Sequence, residues 1–180
     1  MHRLFVALRP PRPVRERLLT LMQGVRGARW QDDGQLHLTL RFIGEVERHR
    51  AEDIAMALDG ISAPAFEIRL DGIGFFDRKG RPSTLWVGVA ASDPLKRLHD
   101  KIEAGLRRIG IELEHRAFLP HITIARLNAS TGPIDGFLEH HAGLAGPPFA
   151  VDHFDLFESR LGRTGAQYDS IARYPLQTEG

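Results

Sequence analysis

The chain of 180 residues contains no cysteine. This absence excludes disulfide bonds, zinc sites built on thiolates and catalysis by a cysteine nucleophile. Lysine is also scarce, since only three of the 24 basic residues are lysine and the rest are arginine. Arginine suits bidentate contacts with phosphate groups, but a genome rich in G and C would produce the same bias. Composition alone leaves both explanations open.

Long apolar runs are missing as well. No stretch has the roughly 20 apolar residues that a membrane-spanning helix needs, and the N-terminus lacks the pattern of a signal peptide. The sequence therefore predicts a cytoplasmic protein without a membrane partner. Hydrophobic residues make up 42% and charged residues 26%, which is typical of a globular chain, and the net charge of +1 provides no general attraction to polyanions.

A tetrapeptide of the form His-x-Thr-x, with an aliphatic residue at each x, occurs twice in the chain. The copies are His37-Leu38-Thr39-Leu40 and His121-Ile122-Thr123-Ile124, which lie 84 residues apart. Successive side chains of a strand point to opposite faces, so each His and Thr share one face while the aliphatic residues point into a core. One copy would be a weak signal, because a polar residue on the open face of a strand is ordinary, but two copies are a strong one.

Two such strands side by side would bring two imidazoles and two hydroxyls to one surface. This set supplies a proton donor, a proton acceptor and hydrogen-bond donors for an oxyanion. These are the groups that phosphoryl transfer needs. We therefore predict that His37 and His121 are catalytic and that Thr39 and Thr123 bind substrate.

Two arginines follow the motifs closely. Strict alternation places Arg41 on the face of His37 and Thr39, where it is either a phosphate or ribose contact or a solvated residue at the strand end. The same alternation places Arg126 on the face opposite His121, so a role in substrate binding requires a bend or bulge at the end of that strand.

The hydrophobic periodicity, together with the glycines and prolines that end predicted helices and strands, predicts an α+β fold. We expect residues 1–180 to form one bilobal unit, with two pseudo-symmetric lobes, a mostly antiparallel sheet and outer helices in each, and the active site in the cleft between them. The predicted strands are residues 3–8, 36–43, 66–76, 84–90, a strand after Pro120, 149–159 and 167–176. The predicted helices are residues 14–25, residues 47–58 and a segment that begins at Pro94 and is ended by Gly110.

Other polar clusters do not fit known sites. The histidines at 140, 141 and 153, with Asp152 and Asp155, match no zinc spacing, so we predict no metal site.

Gly72 and Gly74 suggest a bulge or a close approach of another chain segment within a strand. No helix follows them, which excludes a dinucleotide-binding turn.

The chain resembles the two-histidine (2H) phosphoesterase superfamily and, within it, the bacterial and archaeal 2'-5' RNA ligase-like family, also called RNA 2',3'-cyclic phosphodiesterases. The resemblance extends over nearly the whole length. It rests on both His-x-Thr-x motifs, residues 3–8 with the prolines at 10 and 11, residues 41–46, residues 85–89, Pro120, Arg126, Tyr168 and residues 174–176.

The resemblance implies hydrolysis of 2',3'-cyclic phosphates on RNA ends or nucleotides to 2'-phosphomonoesters, without a cofactor and with no obligate protein partner evident. It also implies that His37 protonates the leaving O3' oxygen, that His121 activates water and that Arg126 contacts the phosphate. Two alternatives stay open: a 2'-5' RNA ligase, which uses the same groups in reverse, and a noncatalytic module that binds RNA ends or nucleotides. Phe5, Trp30 and Phe76 are candidates for stacking on a base.

Overall fold

The computed structural model describes residues 1–178. Within them it has ten strands: β1 (His2–Leu8), β2 (Arg29–Trp30), β3 (Leu38–Val46), β4 (Phe66–Ile68), β5 (Leu70–Arg78), β6 (Arg81–Val89), β7 (His121–Arg126), β8 (Phe149–Val151), β9 (His153–Gly162) and β10 (Gly165–Pro175). The helices of this part are α1 (Arg12–Thr20), α2 (Arg48–Asp59), α3 (Asp93–Arg108), α4 (Asp135–His140) and a short 3₁₀ helix at Asp33–Gln35. None of these helices is long and apolar enough to cross a membrane.

Most strands form one antiparallel sheet in the order β10-β9-β1-β3-β7-β6-β5, and β2 adds to β7. The central strands β3 and β7 share a single register pair, Leu38 opposite Ile122. In contrast, β3 pairs with β1 at seven positions and β7 pairs with β6 at five. Because the two halves of the sheet are joined at one point, they diverge on either side of it. The predicted α+β fold, with two antiparallel lobes and a cleft between them, is confirmed.

The main core lies on the face of the sheet that the helices cover. The longest helix, α3, is capped by the preceding residue Ser92, whose side chain accepts a hydrogen bond from the Leu95 amide, and this cap stabilises the first turn. Leu98 and Ile102 follow at helical spacing and are buried against the sheet. A smaller apolar cluster of Phe5, Ala7 and Phe157, with Tyr168 packed against it, is separate from this main core.

Two predicted strands are each divided in the structure. The segment predicted as one strand at residues 66–76 forms β4 and β5, and the segment at 149–159 forms β8 and β9. In both cases the first part leaves the large sheet, because β4 and β8 pair with each other instead. The predicted helix at residues 14–25 is also shorter, since α1 ends at Thr20.

The glycine-rich part of β5 is irregular, as expected. The register between β5 and β6 shifts between Leu70 and Ile73. A Cβ atom at Gly74 would collide with the indole ring of Trp86 on β6. Glycine is therefore needed at residue 74 so that this ring can lie flat against the strand.

Both motif strands contain a β-bulge directly after the threonine. In β3, Thr39 pairs with Ala7 and Arg41 pairs with Val6, so Leu40 is the extra residue. In β7, Thr123 and Ala125 pair with consecutive residues of β6, so the residue between them is extra there as well. A bulge shifts the alternation by one residue, and each following side chain changes face.

This shift corrects the prediction for Arg41. The side chain of Arg41 is buried, and its Nη1 atom donates to both carboxylate oxygens of Glu103 on α3 at 3.0 Å. Its Nη2 atom donates to the Glu112 carbonyl at 2.5 Å. Arg41 therefore binds the helix layer on the core side of β3, and the prediction that it contacts substrate is wrong.

Replacing Arg41 should affect stability far more than chemistry. Arg41→Ala leaves the Glu103 carboxylate buried without its partner, which typically costs about 3–5 kcal/mol. We expect the free energy of unfolding from urea titration to fall by that order, while turnover per folded molecule stays within about twofold of wild type. Arg48→Ala, which breaks an exposed pair with Glu52 on α2, is the control and should cost less than about 1 kcal/mol. A stable Arg41→Ala protein with impaired turnover would contradict the structural role.

Candidate active site

The two His-x-Thr-x motifs meet at the centre of the sheet. His37 directly precedes β3 and His121 begins β7, and Leu38 lies opposite Ile122 between them. Continuing this antiparallel register places His37 across from Thr123 and Thr39 across from His121. The two motifs are therefore related by a local twofold axis. All four polar side chains are half-buried, whereas Leu38 and Ile122 are fully buried in the core.

Both imidazoles are oriented by the same backbone contact. The Nδ1 atom of His37 lies 2.7 Å from the Gln35 carbonyl, and that of His121 lies 2.5 Å from the Leu119 carbonyl. A carbonyl oxygen only accepts, so each Nδ1 carries a proton and donates it. The Nε2 atom of each ring is therefore the one that exchanges protons, as an acceptor in neutral imidazole and a donor in imidazolium.

Aromatic side chains enclose each imidazole. The ring of His37 lies 4.9 Å from Phe5 and 5.1 Å from Tyr168, between centroids. On the other side of the local twofold axis, His121 lies 4.9 Å from Phe76 and 6.0 Å from Trp86. These contacts fix the ring planes and reduce the exposure of both rings to solvent.

The apolar surroundings disfavour the charged form of both histidines. Burial lowers the pKa of His37 to about 4, and the positive charges of Arg126, His121 and Arg9 add to this effect. The pKa of His121 is also lowered, first by burial and then by the charge of Arg126. The hydrogen bonds from Nδ1 to Gln35 and Leu119 act in the opposite direction but are weaker. Both imidazoles are therefore neutral near pH 7 in the free protein.

Arg126 ends the strand that His121 begins. Its charge acts on the pKa of each imidazole, and its Nη1 atom is 3.4 Å from the hydroxyl of Thr84. The bulge in β7 places Arg126 on the same face as His121. A role for Arg126 in substrate binding requires this placement. The equivalent bulge in β3 places Phe42 at the corresponding position, five residues after His37.

Gln35 is a site residue that the sequence analysis did not identify. Besides its carbonyl contact with His37, its side chain amide donates to the Ala166 carbonyl on β10 at 2.9 Å. Its Oε1 atom accepts from the Asp32 amide, and the Asp32 carboxylate accepts from the Gln35 amide in return. This reciprocal cap holds the turn that carries the carbonyl, and Asp32 with Gln35 three residues later is its sequence signal.

The structure also changes the interpretation of two aromatic candidates. Phe5 is only 3% exposed, so it supports His37 and is not available to stack on a base. Trp30 packs beside Phe137 at 5.7 Å, at the edge of the main core. Phe76 lies against His121 and is half-buried.

Among the described residues, no three His, Asp or Glu side chains converge on a point where they could hold a metal ion.

Comparison with known proteins assigns the family. A model of the 2'-5' RNA ligase superfamily matches residues 10–163, and the chain belongs to this superfamily. Among curated relatives, the RNA 2',3'-cyclic phosphodiesterase of Thermotoga maritima is 34% identical over 164 residues, which cover 89% of this chain and 84% of that protein. The protein of the same name from Thermus thermophilus is 33% identical over 189 residues, covering 98% and 91%.

Solved structures share the fold. A crystal structure of a Thermus thermophilus protein superposes with a TM-score of 0.81 at 28% identity and covers 99% of this chain and 100% of that one. Escherichia coli LigT complexed with 3'-AMP superposes with a TM-score of 0.80 at 27% identity, covering 98% of both chains. The resemblance noted from the sequence is thereby confirmed.

The lowered pKa of His37 predicts a specific loss of stability in acid. The unfolded chain protonates this histidine near pH 6.5 and the folded protein only near pH 4, so the unfolded state binds more protons between these values. Folding stability therefore falls as the pH decreases through that window. His37→Gln should reduce the fall by about 1–3 kcal/mol, measured by urea unfolding at pH 7 and pH 4.5. His49→Gln, which removes an exposed histidine of α2, is the control, and an equal effect from both variants would contradict the assignment.

Proposed function

We propose that this protein hydrolyses 2',3'-cyclic phosphates on RNA ends or nucleotides to 2'-phosphomonoesters, by acid–base catalysis between His37 and His121 and without a metal ion. The observation that carries the proposal is the paired geometry of the two imidazoles. Each is held through Nδ1 by a backbone carbonyl, so each offers Nε2 to the cleft. The names of the curated relatives support the same substrate class.

The reaction needs two proton transfers on opposite sides of phosphorus. A water oxygen attacks phosphorus while His121 takes its proton at Nε2, and the bond from phosphorus to O3' breaks while His37 donates a proton to O3'. The product has a 2'-phosphate and a free 3'-hydroxyl. In-line displacement requires the attacking and leaving oxygens on opposite sides, and the two motifs lie on opposite sides of the local twofold axis, as such a reaction demands.

Thr39, Thr123 and Arg126 complete the proposed site. The threonine hydroxyls donate to the nonbridging phosphate oxygens, on which negative charge grows in the transition state. The Arg126 guanidinium adds a positive charge beside both imidazoles. Since the phosphoryl group is stabilised by hydroxyl and guanidinium donors, the mechanism assigns no step to a divalent cation.

The family resemblance assigns the acid role to His37, although burial keeps this residue neutral in the free protein. An acid must carry a proton when the leaving oxygen departs. The cyclic phosphate is an anion, and a negative charge next to Nε2 favours the imidazolium form. We infer that substrate binding raises the pKa of His37. The imidazole then carries the proton that it donates to O3'.

The function is tested by turnover of uridine 2',3'-cyclic monophosphate in excess EDTA. We expect wild type to form the 2'-monophosphate, identified by phosphorus NMR, and His37→Ala and His121→Ala each to lose about 10²–10⁴ in rate, the usual worth of one general acid or base. Arg41→Ala, normalised to folded protein, is the control. Loss of wild-type turnover in EDTA, restored by a divalent ion, would contradict the metal-free mechanism. Near wild-type rates in both histidine variants would contradict the acid and base roles of these residues, and no wild-type turnover above the uncatalysed rate would favour a binding module.

A second experiment assigns the two histidines. A nitrophenyl phosphodiester has a leaving group that departs without a proton, so loss of the acid should matter little for this substrate. We expect His37→Ala to regain a large part of its rate with it, relative to the cyclic nucleotide, and His121→Ala to stay impaired. Selective rescue of His121→Ala would reverse the assignment. Rescue of neither variant would argue that the leaving oxygen is not protonated by an imidazole.

A further inference from the structure

Four arginines form two like-charged cross-strand pairs at one end of the sheet. Arg29 on β2 lies directly opposite Arg126 on β7. Arg78 on β5 lies directly opposite Arg81 on β6, across the turn that joins these strands. All four are exposed. We call this group the arginine strip.

The strip has no counterion within the described protein. Among residues 1–178, none of the four guanidinium groups has a carboxylate oxygen within 4.0 Å, although nine other arginines form such pairs. The exposed carboxylate of Asp77 adjoins Arg78 in sequence but pairs with neither arginine of the turn. Like charges directly opposite each other destabilise a sheet. Two such pairs at the same end therefore indicate a site for an anionic ligand that the chain itself does not provide.

The strip continues outward from the candidate active site. Arg126 lies opposite Thr84 on β6, and Arg81 is three residues further along the same strand, about 10 Å at 3.3 Å per residue. An open groove runs beside Arg81 and is lined by Pro82, Leu127 and Asn128. A ligand with negative charges at regular intervals can contact both arginine pairs, whereas a single phosphate can contact only one.

We propose that the arginine strip binds the phosphates of the RNA nucleotides that precede the terminal cyclic phosphate. This inference rests on the proposed function and extends it, because it names an RNA strand rather than a mononucleotide as the preferred substrate. The terminal phosphate lies between the histidines and next to Arg126, and the strand leaves along β6 towards Arg81 and Arg78. A single strand is favoured over a duplex because the terminal ribose must enter the cleft between the lobes.

The test compares a short oligouridylate ending in a 2',3'-cyclic phosphate with uridine 2',3'-cyclic monophosphate. The variant is Arg78→Gln/Arg81→Gln, whose positions lie outside the candidate active site. We expect its kcat/KM for the oligonucleotide to fall at least about tenfold at low salt and that for the mononucleotide to stay within about twofold. The slope of log kcat/KM for the oligonucleotide against log salt should weaken by about 1.4, since each lost phosphate contact on a single strand accounts for about 0.7.

Arg107→Gln/Arg108→Gln provides a matched control. These exposed arginines end α3, on the helix-covered side of the sheet, and their removal changes the net charge equally. Equal losses in both double variants would overturn the inference, because only overall charge would then matter. An unchanged oligonucleotide rate in Arg78→Gln/Arg81→Gln, or equal losses on both substrates, would overturn it too.

Binding measured without turnover separates this inference from the proposed function. The same oligouridylate with a 3'-hydroxyl end and a fluorescent label at its 5' end reports affinity by anisotropy. Weaker binding and a weaker salt slope in the strip variant alone would support the strip, even if wild type failed to hydrolyse either cyclic phosphate. Wild-type affinity in the strip variant would overturn the strip, whatever the hydrolysis assays showed.

Discussion

The register of the two central strands determines where both imidazoles lie. β3 and β7 meet at Leu38 and Ile122, and the two motifs extend from this pair in opposite directions. A shift of one residue would turn every side chain of one motif to the other face. Leu38 and Ile122 are fully buried, so such a shift would also expose core side chains and bury the histidines and threonines of the motifs. The hydrophobic core therefore enforces the geometry of the site.

The enclosure of the imidazoles has an energetic consequence. Aromatic rings and burial hold His37 neutral, and the nearby arginine adds to the cost of a second positive charge. A positive charge on His37 is therefore unfavourable in the free protein, and an anion beside the ring would make it less so. The same excess of positive charge continues into arginines of β2, β5 and β6 that have no carboxylate partner among residues 1–178. In both proposed binding regions, unfavourable electrostatics in the free protein would be relieved by a bound phosphate.

Local twofold symmetry does not make the two half-sites equivalent. Each has a histidine held by a carbonyl, a threonine and a bulge, but the residue that the bulge returns to the open face is Phe42 in one and Arg126 in the other. The carbonyl that holds His37 belongs to a capped turn bonded to β10 through Gln35. The carbonyl that holds His121 belongs to Leu119, whose side chain is 61% exposed. The different roles proposed for the histidines are consistent with this asymmetry.

The sequence by itself determined the residue types of the site, the fold class and the family. Period-two alternation is a local property, so His37 with Thr39 and His121 with Thr123 could be assigned to common faces from their spacing alone. Tertiary structure decided the outcome for the two arginines. Both follow a bulge, which turned Arg126 towards the site and Arg41 towards Glu103. A bulge arises from pairing with a neighbouring strand, and the aromatic enclosure, the Gln35 contact with β10 and the lowered pKa values likewise depend on residues distant in the chain. Such long-range contacts exist only once the chain has folded, and local patterns therefore did not predict them.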